Sequence, residues 1–198
     1  NEKIYIREKK RYVSRGGNKL LSALEKFNLI HFIKNKTILD VGSSTGGFSH
    51  CLLEKNAKLV ISLDVGYNQL DWKLRTHPSI ISLEKTDIRS FHYNNYPTID
   101  FITADISFNS LVNLSSSLIK PLQKGLILLL VKPQFELSKT DIPAGGIVTN
   151  ESKRQEALKR VKETFKEKGL IYLNEMECPI PGKCGNIEYF LLMEKKVL

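Results

Sequence analysis

The stretch LDVGSSTGGF, Leu39 to Phe48, is an apolar run that ends in a glycine-rich turn, and how it is read decides the fold. Within it Gly42-Ser43-Ser44-Thr45-Gly46 matches the G-x-S-x-G nucleophile elbow of hydrolases, in which a serine sits on a sharp strand-to-helix turn. A turn that cradles a cofactor occupies the same place in an open α/β sheet. Local context fits both readings, so the argument has to move outward.

Downstream, short apolar runs recur: TILDVG (37–42), KLVISLDVG (58–66), SIISLEKTD (79–87), IDFITADIS (99–107) and GLILLLVKP (125–133). Stretches of helical period, such as GFSHCLLEKN and NSLVNLSSSLIK, lie between most of them. Strand and helix alternating in this way, with strands apolar on both faces, predict a parallel sheet covered on each side. Upstream, Leu20, Leu21, Leu24 and Phe27 fall at helical spacing. The end of the chain breaks the rhythm. A helix over about Glu151 to Lys168 precedes GLIYLNEMECP, the turn-rich IPGKCGN and IEYFLLMEK, and two strands so joined are antiparallel. The expectation is an α/β, Rossmann-like sheet of seven strands, mostly parallel, with an antiparallel C-terminal hairpin, an arrangement that resembles the sheet of S-adenosylmethionine-dependent methyltransferases. Residues 1–14 read as a basic linker and 15–198 as one domain.

The chain has 198 residues, 41% of them hydrophobic and 26% charged, the composition of a globular domain. Its 30 Lys and Arg against 21 Asp and Glu leave a net charge of +9, which points to a polyanionic partner, nucleic acid first. Three cysteines without a C-x-x-C pair suggest neither a disulfide framework nor a zinc ribbon, and fit a reducing cytoplasm. The longest apolar run, GLILLLV, is far short of the ~20 residues of a membrane helix, and no signal peptide opens the chain. Residue 1 is Asn, so the reading is of a fragment or processed piece.

Ligands of open α/β sheets bind outside the carboxyl ends of the strands. There the sequence places Asp40, Asp64, Asp87, Asp105 and Lys132, one for each of the first five strands. Asp64 stands near the offset from the glycine turn at which an acidic residue accepts ribose hydroxyls. Gly42, Gly46 and Gly47 would let the backbone approach a ligand, and the following helix N-terminus would point amides inward. Ser44 at the middle glycine position of G-x-G-x-x-G argues against a dinucleotide pyrophosphate. Several carboxylates around the crevice suit a ligand bearing a sulfonium and an ammonium. The hydrolase reading needs a histidine late in the sheet, yet His31, His50, His77 and His92 all precede the fifth strand. Ser44 is therefore read as a hydrogen-bonding turn residue.

Lys132 follows an apolar run, where an ammonium is costly unless paired, and Asp105 ends the neighbouring strand. Glu188 is a second carboxylate in an apolar run, and Lys19 opens a helix where the macrodipole disfavours a cation. Two lysines and two carboxylates could grip a hydroxyl, remove its proton and aim it.

Taken together, SRGGNKL, LDVGSSTGGF, DVGYNQLDWKLR, ADISFNSL, VKPQFE, AGGIV and GNIEYF resemble the haemolysin-A (TlyA-type) branch of the FtsJ-like RNA 2′-O-methyltransferases, from about Tyr12 to the C-terminus. The resemblance implies a Lys-Asp-Lys-Glu tetrad at Lys19, Asp105, Lys132 and Glu188. It also implies an S-adenosylmethionine site at Asp40, Gly42, Ser43, Ser44, Thr45, Gly46, Gly47, Phe48, Asp64, Val65, Asp87 and Ile88. The implied reaction is methyl transfer to the ribose 2′-hydroxyl of cytidine in 16S and 23S ribosomal RNA. Family members usually carry a small N-terminal RNA-binding domain, which nothing here matches, and Asp87 stands where Asn is usual. Lys9, Lys10, Arg11 and Arg15, with Lys73 and Arg75, are the expected RNA contacts. The loop Pro133 to Val148 is a candidate lid. The rival readings are a membrane-active haemolysin, a non-catalytic RNA-binding protein and a small-molecule O-methyltransferase; no metal site is expected.

Overall fold

In the computed structural model, residues 11–197 are described, so Lys9 and Lys10 lie outside the described residues. One sheet of seven strands runs through the molecule: β1 (Thr37–Val41), β2 (Leu59–Leu63), β3 (Ile80–Leu83), β4 (Ile99–Ala104), β5 (Leu122–Val131), β6 (Ile171–Glu177) and β7 (Tyr189–Lys195). Their order is β3-β2-β1-β4-β5-β7-β6. β1 to β5 are parallel, and β7 pairs antiparallel with both β5 and β6, as the sequence leads one to expect. The third strand is shorter than its apolar run, because residues 84–87 turn away to form contacts of their own.

Among the described residues, seven α-helices accompany the sheet: α1 (Arg15–Lys26), α2 (Ile30–Ile33), α3 (Gly47–Glu54), α4 (Trp72–Arg75), α5 (Leu111–Ile119), α6 (Pro133–Glu136) and α7 (Glu151–Glu167). Strand alternation sorts them into two layers. Leu39, Val41, Ile61, Ile102 and Leu129 pack against Leu114 and Leu118 of α5 and Val161 and Phe165 of α7. Ile38, Val60, Phe101, Leu128 and Phe190 pack against Leu20 and Leu24 of α1, Leu52 of α3 and Leu74 of α4. Both layers exclude water, as parallel strands require.

One buried row on the α3 side is polar. Asp40 of β1 lies in register with Ser62 of β2 and Thr103 of β4. Ser49 of α3 donates to Asp40 Oδ2 at 2.6 Å and lies 2.7 Å from Ser62 Oγ, while Thr103 donates to Asp40 Oδ1 at 2.9 Å. A serine inside a helix thus fastens α3 to the centre of the sheet. From β1 the chain builds outward through β2 to β3, then crosses back to place β4 on the other side of β1, and this switch point opens the crevice at the carboxyl ends of the strands.

Candidate functional site

The crevice has two lobes. The first, about 660 Å³, is walled by Arg15, Lys19, Asp105, Lys132 and Glu188, with residues of the glycine turn as its floor. The second, about 620 Å³, is walled by Asp64, Val65, Asp87, Ile88 and Ile106. Gly42, Ser44, Asp105, Ser107 and Phe108 border both, so the lobes meet over the glycine turn.

Four distant segments supply the charges of the first lobe. Lys19, on the first turns of α1, places Nζ 2.6 Å from Oε2 of Glu188, the residue before β7, and both are buried. Lys132, at the end of β5, places Nζ 2.6 Å from Oδ1 of Asp105, just past β4, and donates to Ser107 Oγ at 2.8 Å. The Lys132 ammonium is the charge that faces the buried Asp105 Oδ1. Ion pairs this enclosed gain Coulomb energy but give up hydration, so they are weak evidence for stability and fit a functional demand better.

The second lobe answers its carboxylates differently. Asp64 accepts the Ser44 N–H on Oδ2 and the Gly66 N–H on Oδ1, each at 2.7 Å. An ionised carboxylate has about four acceptor positions, so two remain for hydroxyl donors. Val65, Ile88 and Leu114 give the lobe apolar walls. Asp87, by contrast, is occupied by its neighbour. Arg89 approaches it through the backbone N–H, Nε and Nη2 at 2.8, 2.9 and 2.6 Å, and the guanidinium holds the carboxyl below its ordinary range. Its side chain borders the lobe with both oxygens engaged.

Several expected contacts lie elsewhere. Asp40 is fully buried and lines neither lobe; burial pushes its carboxyl up to about 7, against the lowering effect of the Ser49 and Thr103 hydroxyls. It supports the turn from beneath. Gly46 also lines neither lobe, and a Cβ there would meet Leu70 and Leu74 of the α4 segment. At Gly42, with φ at +80°, a Cβ would lie 2.5 Å from the Asp105 carbonyl oxygen. These two glycines serve close packing of protein on protein, where the sequence suggests room for a ligand. Ser43, Thr45, Gly47 and Phe48 line the lysine lobe alone.

Ser44 does take the left-handed backbone an elbow nucleophile would have, at φ 47°, but its amide is spent on Asp64 and no histidine lines either lobe. His50 faces the other way, accepting the Val13 N–H on Nδ1. Among the basic candidates, Arg15 is exposed at the rim of the first lobe and Lys73 is exposed on α4. Arg11 pairs with Glu54 at 3.1 Å. Arg75 is bound to Glu84 at 2.9 Å and Asn68 at 2.8 Å, so its guanidinium is engaged within the protein.

The structure adds residues that composition and spacing leave unmarked. Phe108 stands 92% exposed between the lobes in a left-handed conformation, φ 63°, its ring 5.4 Å from that of Phe135. Gln134, whose Oε1 is buried without a partner, and Lys183 complete the wall of the first lobe. An aromatic directly after Ser107 on a strand-end loop has no periodic signal; only its exposure reveals it. The segment Pro133–Val148 is tied at both ends. Glu136 accepts Ser110 Oγ and the Leu111 N–H at 2.6 and 2.8 Å, and Asn186 bonds Val148 N and Gly146 O, each at 2.9 Å. Among the described residues, no group of three or more His, Cys, Asp or Glu could hold a metal ion, and no helix is long and apolar enough to cross a membrane.

A family model described as FtsJ-like methyltransferase matches residues 12–195. The chain is 38% identical over 182 residues to the 16S/23S rRNA (cytidine-2′-O)-methyltransferase TlyA of Mycobacterium tuberculosis, covering 91% of this chain and 67% of that protein. A crystal structure described as a "putative hemolysin from Lactococcus lactis" superposes with a TM-score of 0.90 at 37% identity, over 95% of this chain and 90% of that one. Fibrillarin of Aeropyrum pernix, crystallised with natively bound S-adenosyl-L-methionine, shares the fold at a TM-score of 0.64 and 14% identity, over 90% of this chain and 76% of that one. The fold is the Rossmann-like one of S-adenosylmethionine-dependent methyltransferases.

Proposed function

The chain belongs to the FtsJ-like methyltransferase family, and we propose on that footing that it transfers a methyl group from S-adenosylmethionine to the ribose 2′-hydroxyl of cytidine in ribosomal RNA. The observation that carries the reading is that two lysine–carboxylate pairs, drawn from four distant segments, wall one lobe of a crevice whose other lobe presents Asp64 with acceptor positions to spare.

The donor set fits the cofactor. Asp64 is suited to ribose hydroxyls, Val65 and Ile88 to the faces of an adenine, and Gly42, Ser44 and Asp105, which border both lobes, would hold the sulfonium end. When bound, S-adenosylmethionine supplies an electrophilic methyl group. The protein does the rest. Lys132 would take the 2′-hydroxyl proton, the methyl group would pass from sulfur to that oxygen with the cofactor leaving as the neutral thioether, and Asp105 would hold the ammonium that results. Ser107 accepts from the same Nζ and fixes its direction. Lys19 and Glu188, locked to each other in the same wall, orient the ribose. Holding nucleophile and acceptor carbon in line accounts for a large share of such a rate. The exposed Phe108 face at the junction offers a base a surface to stack on. RNA backbone is met by Arg15 and Lys183 at the rim. This work is done in the cytoplasm, where ribosomal RNA is found.

The test is transfer of tritiated methyl groups to undermethylated ribosomal subunits, with leakage of dye-loaded liposomes measured in parallel. Incorporation without leakage is expected. Leakage without incorporation would reverse the reading in favour of the lytic activity that the word hemolysin suggests. The apolar residues of α7, Ala157, Leu158, Val161 and Phe165, are already buried, which leaves that helix no face for a bilayer.

A further inference from the structure

Trp72 is the chain's single tryptophan and stands 73% exposed, with Tyr67, five residues before it, 67% exposed. Both belong to the segment between β2 and β3, and neither lines a lobe of the crevice. The segment around them is firmly held. Glu84 accepts the N–H groups of Asn68, Gln69 and Leu70 at 3.0, 3.0 and 3.3 Å and pairs with Arg75. Asp71 caps α4 by accepting the Lys73 N–H, and Leu70 and Leu74 are buried against Gly46. A backbone so braced displays its two aromatic rings for a reason other than its own folding.

Cations accompany them. Lys85 Nζ lies 4.1 Å from the centroid of the Tyr67 ring, and Lys73 follows Trp72 on α4. Both lysines are exposed, and neither forms an ion pair within the described residues. Flat aromatic faces interleaved with unpaired ammonium groups match unstacked bases and phosphates, the chemistry of single-stranded RNA. The patch also adjoins the crevice, since the Asp71 N–H reaches the Thr45 carbonyl of the glycine turn at 3.3 Å.

We infer that Trp72, Tyr67, Lys73 and Lys85 form a second RNA-contact surface, which takes unpaired nucleotides flanking the one whose ribose enters the lysine lobe. This rests on the proposed reading of the substrate as RNA. Trp72 is its own reporter, because all tryptophan fluorescence of the chain comes from this surface. Titration of the protein with a cytidine-containing single-stranded oligoribonucleotide should give saturable quenching, with an affinity matching filter retention of the same RNA. Trp72→Ala should weaken retention about tenfold and Trp72→Phe should restore most of it, since a stacking face is what is lost. Lys73→Ala with Lys85→Ala should lower the salt slope of binding by about 0.7 per lysine. Affinity for S-adenosylmethionine should stay at the wild-type value in all of them. RNA retained without quenching, or retained equally by Trp72→Ala, would overturn the surface and leave the methyltransferase reading standing. Quenching by ribosomal subunits but not by naked RNA would overturn it in favour of a protein contact. No retention of any RNA would overturn both inferences together.

Discussion

In the lobe bounded by Lys19 and Lys132 the polar groups are side chains that answer one another across long sequence separations, whereas in the lobe bounded by Asp64 the carboxylate is answered by backbone amides of the adjoining turns. The difference is one of purpose. Backbone donors are fixed by the fold, cost nothing to orient and suit a ligand bound the same way in every turnover. Paired side chains hold charge in place while allowing a proton to move between them and a substrate. Substitutions should therefore separate the lobes cleanly.

The largest expected effect is at Lys132. Lys132→Ala should lower kcat on the order of 10³-fold, the usual weight of a general base, while calorimetric titration finds S-adenosylmethionine affinity nearly intact. Parallel loss of cofactor binding would show that the lobes share one task. Next is the buried pair opposite. Glu188→Ala leaves Lys19 uncompensated and should cost about 3–5 kcal/mol in urea unfolding. The double change Lys19→Met with Glu188→Leu should recover much of that stability and none of the turnover, which divides scaffolding from chemistry. In the other lobe, Asp64→Ala should weaken cofactor affinity by about 10- to 100-fold, the loss of one or two charge-assisted hydrogen bonds, and leave kcat at saturating cofactor less affected. A kcat collapse with unchanged affinity would reverse the assignment of the lobes.

The smallest effect concerns Asp40, beneath both. Its folded carboxyl titrates near 7 against an ordinary 3.8, so the folded chain binds more protons than the unfolded chain between those values. Stability contributed by this group accordingly falls as pH rises from about 4 to about 7. Asp40→Asn should flatten that part of the thermal-unfolding profile and leave turnover in place; an unchanged profile would mean that the group stays ionised throughout.

The architecture was legible because apolar runs and glycine turns act locally: each strand run ends at or before a turn residue, and the antiparallel hairpin follows from its short Pro/Gly connection. The demand for two buried ion pairs was legible for a different reason. Lys132 and Glu188 are charges inside apolar runs, and such charges demand partners, so chemistry that is expensive to bury advertises itself. What escaped was decided in three dimensions. Asp40 and Asp64 look alike at the ends of neighbouring strands, yet register with Ser62 and Thr103 turns one inward, while the next loop turns the other to the crevice. Asp87 and Arg75 look free in sequence and are taken by Arg89 and Glu84. Phe108 and Trp72 carry no signal of their own in the sequence, and only the structure shows them exposed.

The central claim is that the lysine lobe acts on a ribose oxygen. It is tested most directly by methylating ribosomal RNA with tritiated S-adenosylmethionine and hydrolysing the product in alkali, because a methylated 2′-oxygen blocks cleavage at its own phosphodiester. The account predicts label in alkali-stable dinucleotides that begin with cytidine. Label recovered in mononucleotides, as base methylation would give, would contradict it.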